Sequence, residues 1–204
     1  MKIVVINYGL GNINSITGAL KKLNVKYEFS NDLKIIKEAD KLILPGVGSF
    51  AKGMQNLKNF NLIETLNHQV KIENKPILGI CLGAQLFCES SEEDNNQTKG
   101  LGWFEANVKK FPKECKILPH IGWNIVKTKN ISKFYNENIN LDFYFVHSYY
   151  INFIKPEKNI IIENSNYYID FPAIVFYKNI FGAQFHPEKS QKHGLEFLKK
   201  FIDA

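Results

Sequence analysis

Apolar residues in roughly the first ninety positions alternate between two spacings. Short continuous apolar runs predict buried strands at residues 2–6, 25–29, 41–44 and 76–80. Between these runs, apolar residues recur every three or four positions and predict helices at residues 12–23, 32–39, 56–72 and 82–89. Regular alternation of strand and helix is typical of an α/β protein with a doubly wound, mostly parallel sheet and right-handed crossovers.

After Trp103 the pattern changes and predicts strands rather than helices. Strand-like runs separated by Pro, Asn and Gly lie at residues 108–111, 125–127, 143–147, 160–163 and 173–177. We expect these runs to extend the sheet with antiparallel strands. A last strand is predicted at residues 180–185, followed by a helix that Ser190 caps.

Two polar stretches interrupt this pattern. Residues 90–99 predict a surface loop, and the Asn-rich residues 130–140 predict a loop or a short helix. Neither has the composition of a domain linker, and the sequence contains no internal repeat. We therefore expect a single domain over residues 1–204.

The predicted strand at residues 76–80 runs into Gly-Ile-Cys-Leu-Gly at residues 79–83. This is the cysteine version of the G-x-S-x-G elbow, in which a sharp turn from strand to helix lifts the nucleophile to the carboxyl edge of the sheet. Glycine is needed on both sides because a Cβ would clash in so tight a turn. The helix dipole and free N–H groups would favour a thiolate at Cys81. The motif alone is equally compatible with a buried cysteine at an ordinary turn.

The predicted strand at residues 41–44 ends in Pro45-Gly46-Val47-Gly48. In a doubly wound sheet this turn lies at the same edge as Cys81, where such sheets bind their ligands. Its glycines allow backbone N–H groups to turn toward an anion. Taken alone, the motif is more often a plain Pro-Gly turn.

The last predicted strand ends in His186-Pro187-Glu188. In an extended segment, residues two apart point the same way, so Glu188 is expected to hold the His186 imidazole in one tautomer. A thiolate, an imidazole, an orienting carboxylate and backbone N–H groups for an oxyanion are the parts of covalent acyl-transfer catalysis. A lone histidine before proline is usually structural, so the hypothesis depends on three motifs meeting at one sheet edge.

Composition changes this picture little. The chain is 45% hydrophobic and 23% charged, which is ordinary for a globular protein. Its net charge of +6 comes from scattered lysines without a nucleic-acid recognition motif, which indicates a solvated Lys-rich surface. An anionic phosphorylated metabolite or an acidic partner remains a possible use of that charge. Gly9 and Gly11 suggest a phosphate-binding turn, but Asn14 stands where a dinucleotide site needs a third glycine.

The three cysteines are Cys81, Cys88 and Cys115. An odd number without a C-x-x-C pair argues against a disulfide framework or a zinc site, so we expect no metal and no cofactor. We interpret Cys88 and Cys115 as structural. The first apolar run is too short for a signal peptide and no run reaches the length of a membrane span, so we expect a cytoplasmic protein.

Three of the motifs, PGVGSF, GICLGAQL and FHPEKS, together resemble the class I (triad) glutamine amidotransferases. A larger set, covering essentially the whole chain in order, resembles the HisH group of that family, the glutaminase subunits of imidazole glycerol phosphate synthase. This set is INYGLGNINS, LPGVGSF, LGICLGAQLF, PHIGWN, YFVHSYY and FGAQFHPEKSQ. The resemblance implies a flavodoxin-like fold and hydrolysis of L-glutamine to glutamate and ammonia through a cysteine thioester.

The same resemblance implies a partner and roles for residues. The partner is a HisF-like (βα)8-barrel cyclase subunit, which forms a heterodimer and receives the ammonia for histidine biosynthesis; no nucleic acid or membrane is implied. The implied catalytic triad is Cys81, His186 and Glu188. The implied oxyanion hole consists of the backbone N–H groups of Val47 and Leu82. The residues expected to bind glutamine are Gly48, Gln85, His147, Ser148 and Tyr149. The residues expected to face the barrel are Asn12, His120, Trp123, Asn124, Tyr144 and Lys189.

Two positions depart from the common family pattern. Asn7 stands where many relatives carry Asp, and Ala84 stands where Met is usual. These departures leave open a HisH-like paralogue that supplies ammonia to a HisF-like partner for amidination of a surface sugar. More distant alternatives are a cysteine peptidase or other hydrolase on a related elbow, and a non-enzymatic subunit that only assembles a complex.

Overall fold

A computed structural model describes residues 1–128 and 139–204 of the chain. Its strands are β1 (Ile3–Ile6), β2 (Tyr27–Ser30), β3 (Lys41–Leu44), β4 (Ile77–Ile80), β5 (Ser90–Ser91), β6 (Asn107–Lys110), β7 (His120–Lys127), β8 (Asn140–His147), β9 (Tyr149–Asn152), β10 (Ile161–Tyr167), β11 (Ile169–Tyr177) and β12 (Ile180–Ala183). Its helices are α1 (Ile13–Lys22), α2 (Leu33–Glu38), α3 (Phe50–Asn59), α4 (Leu62–Asn67), α5 (Leu82–Gln85) and α6 (Gln191–Asp203).

The central sheet contains nine strands in the order β2-β1-β3-β4-β12-β11-β10-β7-β8. The pairs from β2 to β12 are parallel, with helices in the connections. The pairs from β12 to β8 are antiparallel. This arrangement confirms the α/β fold class and the antiparallel extension in the second half of the chain.

The core lies on both faces of the parallel half of the sheet. Every residue of β1, β3, β4 and β12 is buried, which is why these strands appear in the sequence as continuous apolar runs. Alternate residues of β1 belong to different hydrophobic clusters, one on each face. Phe197 and Phe201 of α6 pack in the first cluster, and Phe50 and Leu57 of α3 pack in the second.

The predicted surface loop at residues 90–99 is wrong in part. β5 pairs with β6, and β6 pairs with β9, to form a second small sheet. Ser91 is completely buried in it, although its side chain is polar. A 3₁₀ turn at Glu92–Asp94 then folds back, and the Glu93 Oε2 accepts a hydrogen bond from the Phe50 N–H at 2.7 Å. Apolar periodicity could not indicate this element because polar contacts hold it.

The predicted helix at residues 56–72 is wrong in its bounds. α3 begins at Phe50, directly after the Pro-Gly turn, where the Ser49 Oγ accepts a hydrogen bond from the Lys52 N–H. Asn61 adopts a left-handed conformation with φ 56°, which ends the first helix and separates it from α4. A π-helical turn at His68–Ile72 completes the segment.

The helix after Cys81 is also shorter than the predicted residues 82–89. α5 ends at Gln85, and the following backbone pairs with a later loop: the N–H groups of Leu101 and Trp103 donate to the carbonyls of Leu86 and Phe87. Cys88 is buried, as predicted, but it lies outside the helix.

One predicted helix cap and one loop need comment. Ser190 precedes α6, but its side chain does not cap the helix. The Asn-rich residues 130–140 fall almost entirely outside the described residues, and Asn140 is the first residue of β8. Among the helices of residues 1–128 and 139–204, none combines the length and the apolar character needed to cross a membrane.

Candidate active site

Cys81 lies at the turn between β4 and α5, where the backbone has an unusual conformation. Its φ is 52° and its ψ is −111°, a combination that residues with a Cβ rarely adopt. Its N–H donates to the Ala183 carbonyl at 2.7 Å, which ties the turn to β12. A Cβ on Gly79 would approach the backbone of α5 at 2.6 Å, and one on Gly83 would approach the Leu44 carbonyl oxygen at 1.9 Å. The turn therefore has the elbow geometry that its glycines predict.

His186 and Glu188 form a buried pair beside this elbow. The His186 Nδ1 lies 2.8 Å from the Glu188 Oε1, and their side chains are 3% and 1% exposed. The contact occurs for a different reason from the one predicted, since Pro187–Lys189 is a 3₁₀ turn rather than an extended segment. The turn brings the carboxylate back to the ring. The Ser190 Oγ fixes the turn by donating to the His186 carbonyl at 2.7 Å.

The environment of His186 favours its charged form. Burial lowers the pKa of His186, but hydrogen bonds to Cys81 and Glu188 outweigh burial and raise it to about 10. At neutral pH the imidazole therefore carries two protons and lies between a carboxylate and the cysteine sulfur. An imidazolium beside a sulfur nucleophile can deliver a proton to a leaving group.

Two further groups contact the Cys81 sulfur. The Gln184 Nε2 donates to it across 3.8 Å, and the Val146 carbonyl oxygen lies 3.7 Å away. A thiol uses both contacts, because it donates to the carbonyl and accepts from the amide. A thiolate has no proton for the carbonyl, so its stabilising neighbours are the N–H groups of Gln184 and His186.

A cavity of about 190 Å³ opens beside the sulfur. It contains the triad residues Cys81 and His186 and every residue predicted for the oxyanion hole or for glutamine binding. The lining residues are Val47, Gly48, Cys81, Leu82, Gln85, Glu93, Val146, His147, Ser148, Tyr149, His186 and Lys189. The structure thus brings together residues that lie as far apart as 47 and 189 in the sequence.

The backbone N–H groups of Val47 and Leu82 are available to a ligand. Within the described part of the chain, neither N–H group donates to another residue. Gly46 brings the two turns together, because its Cβ position lies 2.4 Å from the Gly83 nitrogen. Gly48 has a φ of 104° and open space around it. Two N–H groups of this kind can hold a developing oxyanion when both point into the cavity.

Gln85, Tyr149 and His147 form a polar wall on the other side of the cavity. The Gln85 Nε2 donates to the Tyr149 carbonyl at 2.8 Å and to the Gln184 Oε1 at 3.0 Å. The His147 Nδ1 also lies 2.8 Å from the Tyr149 carbonyl. Both protons of the Gln85 amide are used inside the protein, so only its oxygen remains for a substrate donor.

Comparison with known proteins assigns this arrangement to a family. The family model described as glutamine amidotransferase class-I matches residues 4–204, which is nearly the entire chain. The chain belongs to the class-I glutamine amidotransferases. Within that family, it is similar to proteins named imidazole glycerol phosphate synthase subunit HisH, so it belongs to the HisH group.

Three of these relatives illustrate the similarity. The HisH 2 protein of Methanococcus maripaludis is 46% identical, and the alignment covers 98% of each chain. The HisH 2 protein of Pseudomonas aeruginosa is 42% identical over 98% of each chain. The HisH protein of Listeria monocytogenes (strain CLIP80459) is 45% identical over 99% of this chain and 95% of its own.

Solved structures of this family have the same fold. PurLQS from Thermotoga maritima matches with a TM-score of 0.74 at 15% identity and covers 99% of this chain and 97% of the matched one. The glutaminase domain of Trypanosoma brucei CTPS with bound acivicin matches with a TM-score of 0.68 at 16% identity, covering 100% of this chain and 94% of that domain. At such identities the likeness concerns the fold alone.

Sequence reasoning missed three residues that line or support this cavity. Glu93 lines the cavity, but it lies in a polar stretch predicted as a surface loop. Gln184 contacts the sulfur from within the last strand segment, where it looked like an ordinary strand residue. Tyr8 is buried, and its hydroxyl donates to the Pro45 carbonyl at 2.6 Å, which fixes the peptide before Gly46. The position of Gln184, two residues before His186, is the only signal that could have indicated one of them.

Trp123 and Tyr144, two of the residues predicted to face a partner, pair on the outer face of β7 and β8, whereas Asn124 lies on the opposite side of β7 with His120. Trp123 is 48% exposed and packs edge-on against Tyr144, with ring centroids 6.1 Å apart. The Lys189 Nζ lies 5.9 Å from the Tyr144 ring centre. Asn12 and Asn124 are partly exposed. His120 is the exception, because its side chain is buried and stacks on Tyr167 and Phe145. Its ring supports this face from beneath and is not a surface contact.

Proposed function

We propose that this chain is the glutaminase subunit of an imidazole glycerol phosphate synthase and supplies ammonia for histidine biosynthesis. The observation that carries the proposal is the buried Cys81–His186–Glu188 arrangement at a cavity with two unpaired backbone N–H groups. The HisH names of relatives that match over nearly the full chain support the same function.

The first half of the reaction forms a thioester. The Cys81 sulfur attacks the carboxamide carbon of the glutamine side chain, and the carbonyl electrons move to oxygen. The N–H groups of Val47 and Leu82 hold this oxyanion. When it collapses, the C–N bond breaks and the His186 imidazolium gives its proton to the leaving nitrogen, which departs as ammonia. Glu188 holds the imidazole at Nδ1, so Nε2 faces the reaction.

The second half returns the enzyme to its starting state. The now neutral His186 takes a proton from water, and the hydroxide adds to the thioester carbon. Collapse of this second intermediate breaks the C–S bond and releases glutamate. Glu188 stabilises the imidazolium that forms in this step. Each proton taken or given by His186 is therefore balanced within one turnover.

Glu93 suits the amino-acid end of the substrate. It brings a carboxylate to the cavity, and its position is fixed by the Phe50 N–H. A carboxylate can pair with the α-ammonium group of glutamine. The Gln85 oxygen, which has no hydrogen-bond partner among the described residues, is a second acceptor in the cavity. A peptide substrate would lack the free α-ammonium, which argues against the cysteine peptidase alternative.

A HisF-like (βα)8-barrel subunit is the proposed partner and receives the ammonia. The outer face of β7 exposes a stripe of large apolar residues, Ile121, Trp123 and Ile125. Contiguous apolar residues at alternate strand positions are typical of a protein interface. The stripe adjoins the active site, because the carbonyl of Tyr144, which pairs with Trp123, accepts from the His186 N–H at 2.9 Å.

One experiment tests the division of labour between the two subunits. In the assembled complex, Cys81→Ala should abolish glutamine-dependent product formation and leave synthesis from added ammonium intact. Cys115→Ala is the matched control, since this buried cysteine lies outside the cavity and should leave both activities unchanged. Loss of ammonium-dependent synthesis in a Cys81→Ala complex that still assembles would contradict the proposal.

Amidination of a surface sugar is a second candidate, because one organism can carry two HisH proteins. Methanococcus maripaludis has both a HisH 1 protein, 41% identical to this chain, and a HisH 2 protein, 46% identical. Two HisH proteins in one organism allow separate acceptors. Assaying one complex with the imidazole glycerol phosphate precursor and with a sugar acceptor separates the candidates, because the glutaminase half is the same in both.

A further inference from the structure

A continuous line of hydrogen bonds runs from Asn124 on β7 to the Cys81 sulfur. Each step is between 2.8 and 3.8 Å long. In order, the groups are the Asn124 amide, the His120 and His147 rings, the Tyr149 carbonyl, the Gln85 and Gln184 amides, and the Cys81 sulfur. The triad mechanism explains only the last of these groups.

The outer end of the line has one possible set of proton positions. The Asn124 Nδ2 donates to the Asn166 carbonyl at 2.8 Å, and its Oδ1 accepts from the Ile125 N–H at 2.8 Å. These two partners fix the orientation of the Asn124 amide. Its second N–H then points at the His120 Nε2, 3.3 Å away. The His120 Nε2 is therefore an acceptor.

The contacts of the two histidine rings determine which ring nitrogen of each carries the proton. Burial lowers the pKa of His120 to about 4 and that of His147 to about 3, so both rings are neutral at physiological pH. The His147 Nδ1 faces the Tyr149 carbonyl and must carry the proton, which leaves its Nε2 as an acceptor. The His120 Nδ1, 3.2 Å away, supplies the missing N–H. Both ends thus require the same tautomer of His120.

The inner end of the line fixes the Gln184 amide. The Tyr149 carbonyl can only accept, so the Gln85 side chain must present its nitrogen there. The second N–H of that nitrogen then faces the Gln184 oxygen at 3.0 Å. With its oxygen turned to Gln85, Gln184 has its nitrogen toward the Cys81 sulfur. If Gln184 were reversed, its oxygen would face the sulfur and its nitrogen would face the Gln85 nitrogen. If Gln85 were reversed as well, its oxygen would face the Tyr149 carbonyl oxygen.

We propose that Gln184 is a positioning residue that presents an N–H group to the Cys81 thiolate, and that the buried His120–His147 pair anchors the Tyr149 carbonyl from which its orientation follows. Gln184 is 1% exposed, so water cannot replace its N–H. The Val146 carbonyl oxygen also lies 3.7 Å from the sulfur but has no proton to donate to a thiolate, so of these two neighbours only Gln184 can donate to it. The role in glutamine turnover rests on the proposed glutaminase function, but the effect on the sulfur does not.

The first test measures the sulfur without glutamine. Gln184→Met keeps the length of the side chain and removes the N–H, and Gln184→Glu puts a carboxylate oxygen near the sulfur. We expect the rate of Cys81 alkylation by iodoacetamide at pH 7 to fall by roughly ten-fold in the first variant and by more in the second, because hydrogen bonds to charged groups are among the stronger ones. Gln69→Met, a buried glutamine on the His68–Ile72 turn, is the control and should alkylate at the wild-type rate.

The second test separates the N–H of His120 from its packing. His120→Phe keeps an aromatic ring between Tyr167 and Phe145 but has no N–H, whereas His120→Asn loses the ring and keeps an N–H near the position of Nδ1. We expect Phe to raise the KM for glutamine several-fold and to slow alkylation, and Asn to restore both in part. A purely structural role predicts the reverse order, with Phe tolerated and Asn defective.

The outcomes are distinct from those that test the glutaminase function. Unchanged alkylation in folded Gln184→Met and Gln184→Glu overturns the proposal, as does a tolerated His120→Phe. Slower alkylation in the Gln184 variants of a protein that does not hydrolyse glutamine supports the positioning role and rejects the proposed function instead. Thermal unfolding and circular dichroism establish that each variant is folded, and Gln69→Met sets the scale for losing a buried amide.

Discussion

Glu188→Gln isolates the contribution of the carboxylate to the triad, because it keeps the shape of the side chain and removes its charge. The Glu188 Oε1 contacts the His186 Nδ1 at 2.8 Å, and both side chains are almost completely buried, so solvent does not screen the pair. A hydrogen bond to a charged group contributes about 1.5–3 kcal/mol. A loss of that size in the transition state corresponds to a decrease in kcat of roughly ten- to 150-fold.

The other two triad residues should matter more. His186→Ala removes the group that carries the proton in both half-reactions, and general acid–base catalysis typically contributes about 10²–10⁴-fold. Cys81→Ala removes the nucleophile itself. The fold should tolerate Glu188→Gln, since the second carboxylate oxygen, Oε2, is buried without a hydrogen-bond partner among the described residues. No existing bond is lost there.

The same variant should change the pH dependence in a predictable direction. The carboxylate is one of the causes that raise the pKa of His186 to about 10, so in the wild type the imidazolium is lost only as pH rises through that value. Acylation needs this proton, and activity should decline on the alkaline side accordingly. Without the charge of Glu188, the pKa of His186 falls and the alkaline limb of kcat/KM moves to lower pH.

The assay is glutamate release by the assembled complex between pH 6 and 10.5, with thermal unfolding of each variant as the control for folding. Equal losses of kcat in Glu188→Gln, His186→Ala and Cys81→Ala, with all three folded, would refute the assignment of an orienting role. An alkaline limb that stays in place in Glu188→Gln would refute the electrostatic reasoning, even if kcat falls.

Three further predictions follow from the site. Brief treatment with a glutamine-mimicking electrophile should label Cys81 alone, because burial raises the pKa values of Cys88 and Cys115; peptide mapping that finds either of these first would contradict the assignment. The isolated chain should have almost no glutaminase activity, and binding of the partner should raise its rate by roughly 10²–10³-fold, because the resting Val47 peptide is expected to turn its N–H away from the oxyanion. Full glutaminase activity of the isolated chain would exclude this. Gly48→Val should reduce that stimulation without displacing Cys81, since Gly48 has open space but a φ of 104°; unchanged stimulation would locate the switch elsewhere.

Gly46→Pro is not an equivalent way to freeze this turn. A Cβ at Gly46 would lie 2.4 Å from the Gly83 nitrogen and 2.7 Å from the Leu82 Cβ. The substitution would therefore move the elbow that carries Cys81 and confuse loss of the switch with loss of the nucleophile. Only the structure distinguishes the two glycines, because the sequence gives no information on what lies opposite each one.

The parallel half of the fold was predictable because its strands are buried on both faces. Continuous apolar runs such as Ile77–Ile80 have no other common explanation when glycine turns and helical spacing surround them. The antiparallel half was less predictable in extent. β7 begins at His120 and not at residue 125 as predicted. The prediction missed the first part of the strand because its exposed and its buried positions both carry a mixture of apolar and polar residues. β5 consists of two serines and carries no apolar signal at all.

The proposed catalytic residues could be selected from the sequence, but most of their hydrogen-bond partners could not. Cys81, His186 and Glu188 stand in short motifs whose spacing reflects local turns. Their partners are distant in the sequence or lie in a loop without periodicity. The hydrogen bonds of the His120–His147 pair and of Gln184 to Cys81 join residues 27 and 103 positions apart, and Glu93 lies in such a loop. A single sequence does not reveal such partners, since each one looks like an ordinary polar residue until the residue that it contacts is known.

The two glycine motifs are parts of one packed unit rather than separate turns. Gly83 lies where any side chain would collide with the Leu44 carbonyl, and Gly46 lies where any side chain would collide with the Gly83 nitrogen. Backbone therefore packs directly on backbone between the third strand and the elbow. This contact brings Val47 and Leu82 to the cavity that Cys81 also lines. A single methyl group at either glycine would separate the two turns, so the proposed oxyanion hole depends on the absence of side chains at Gly46 and Gly83.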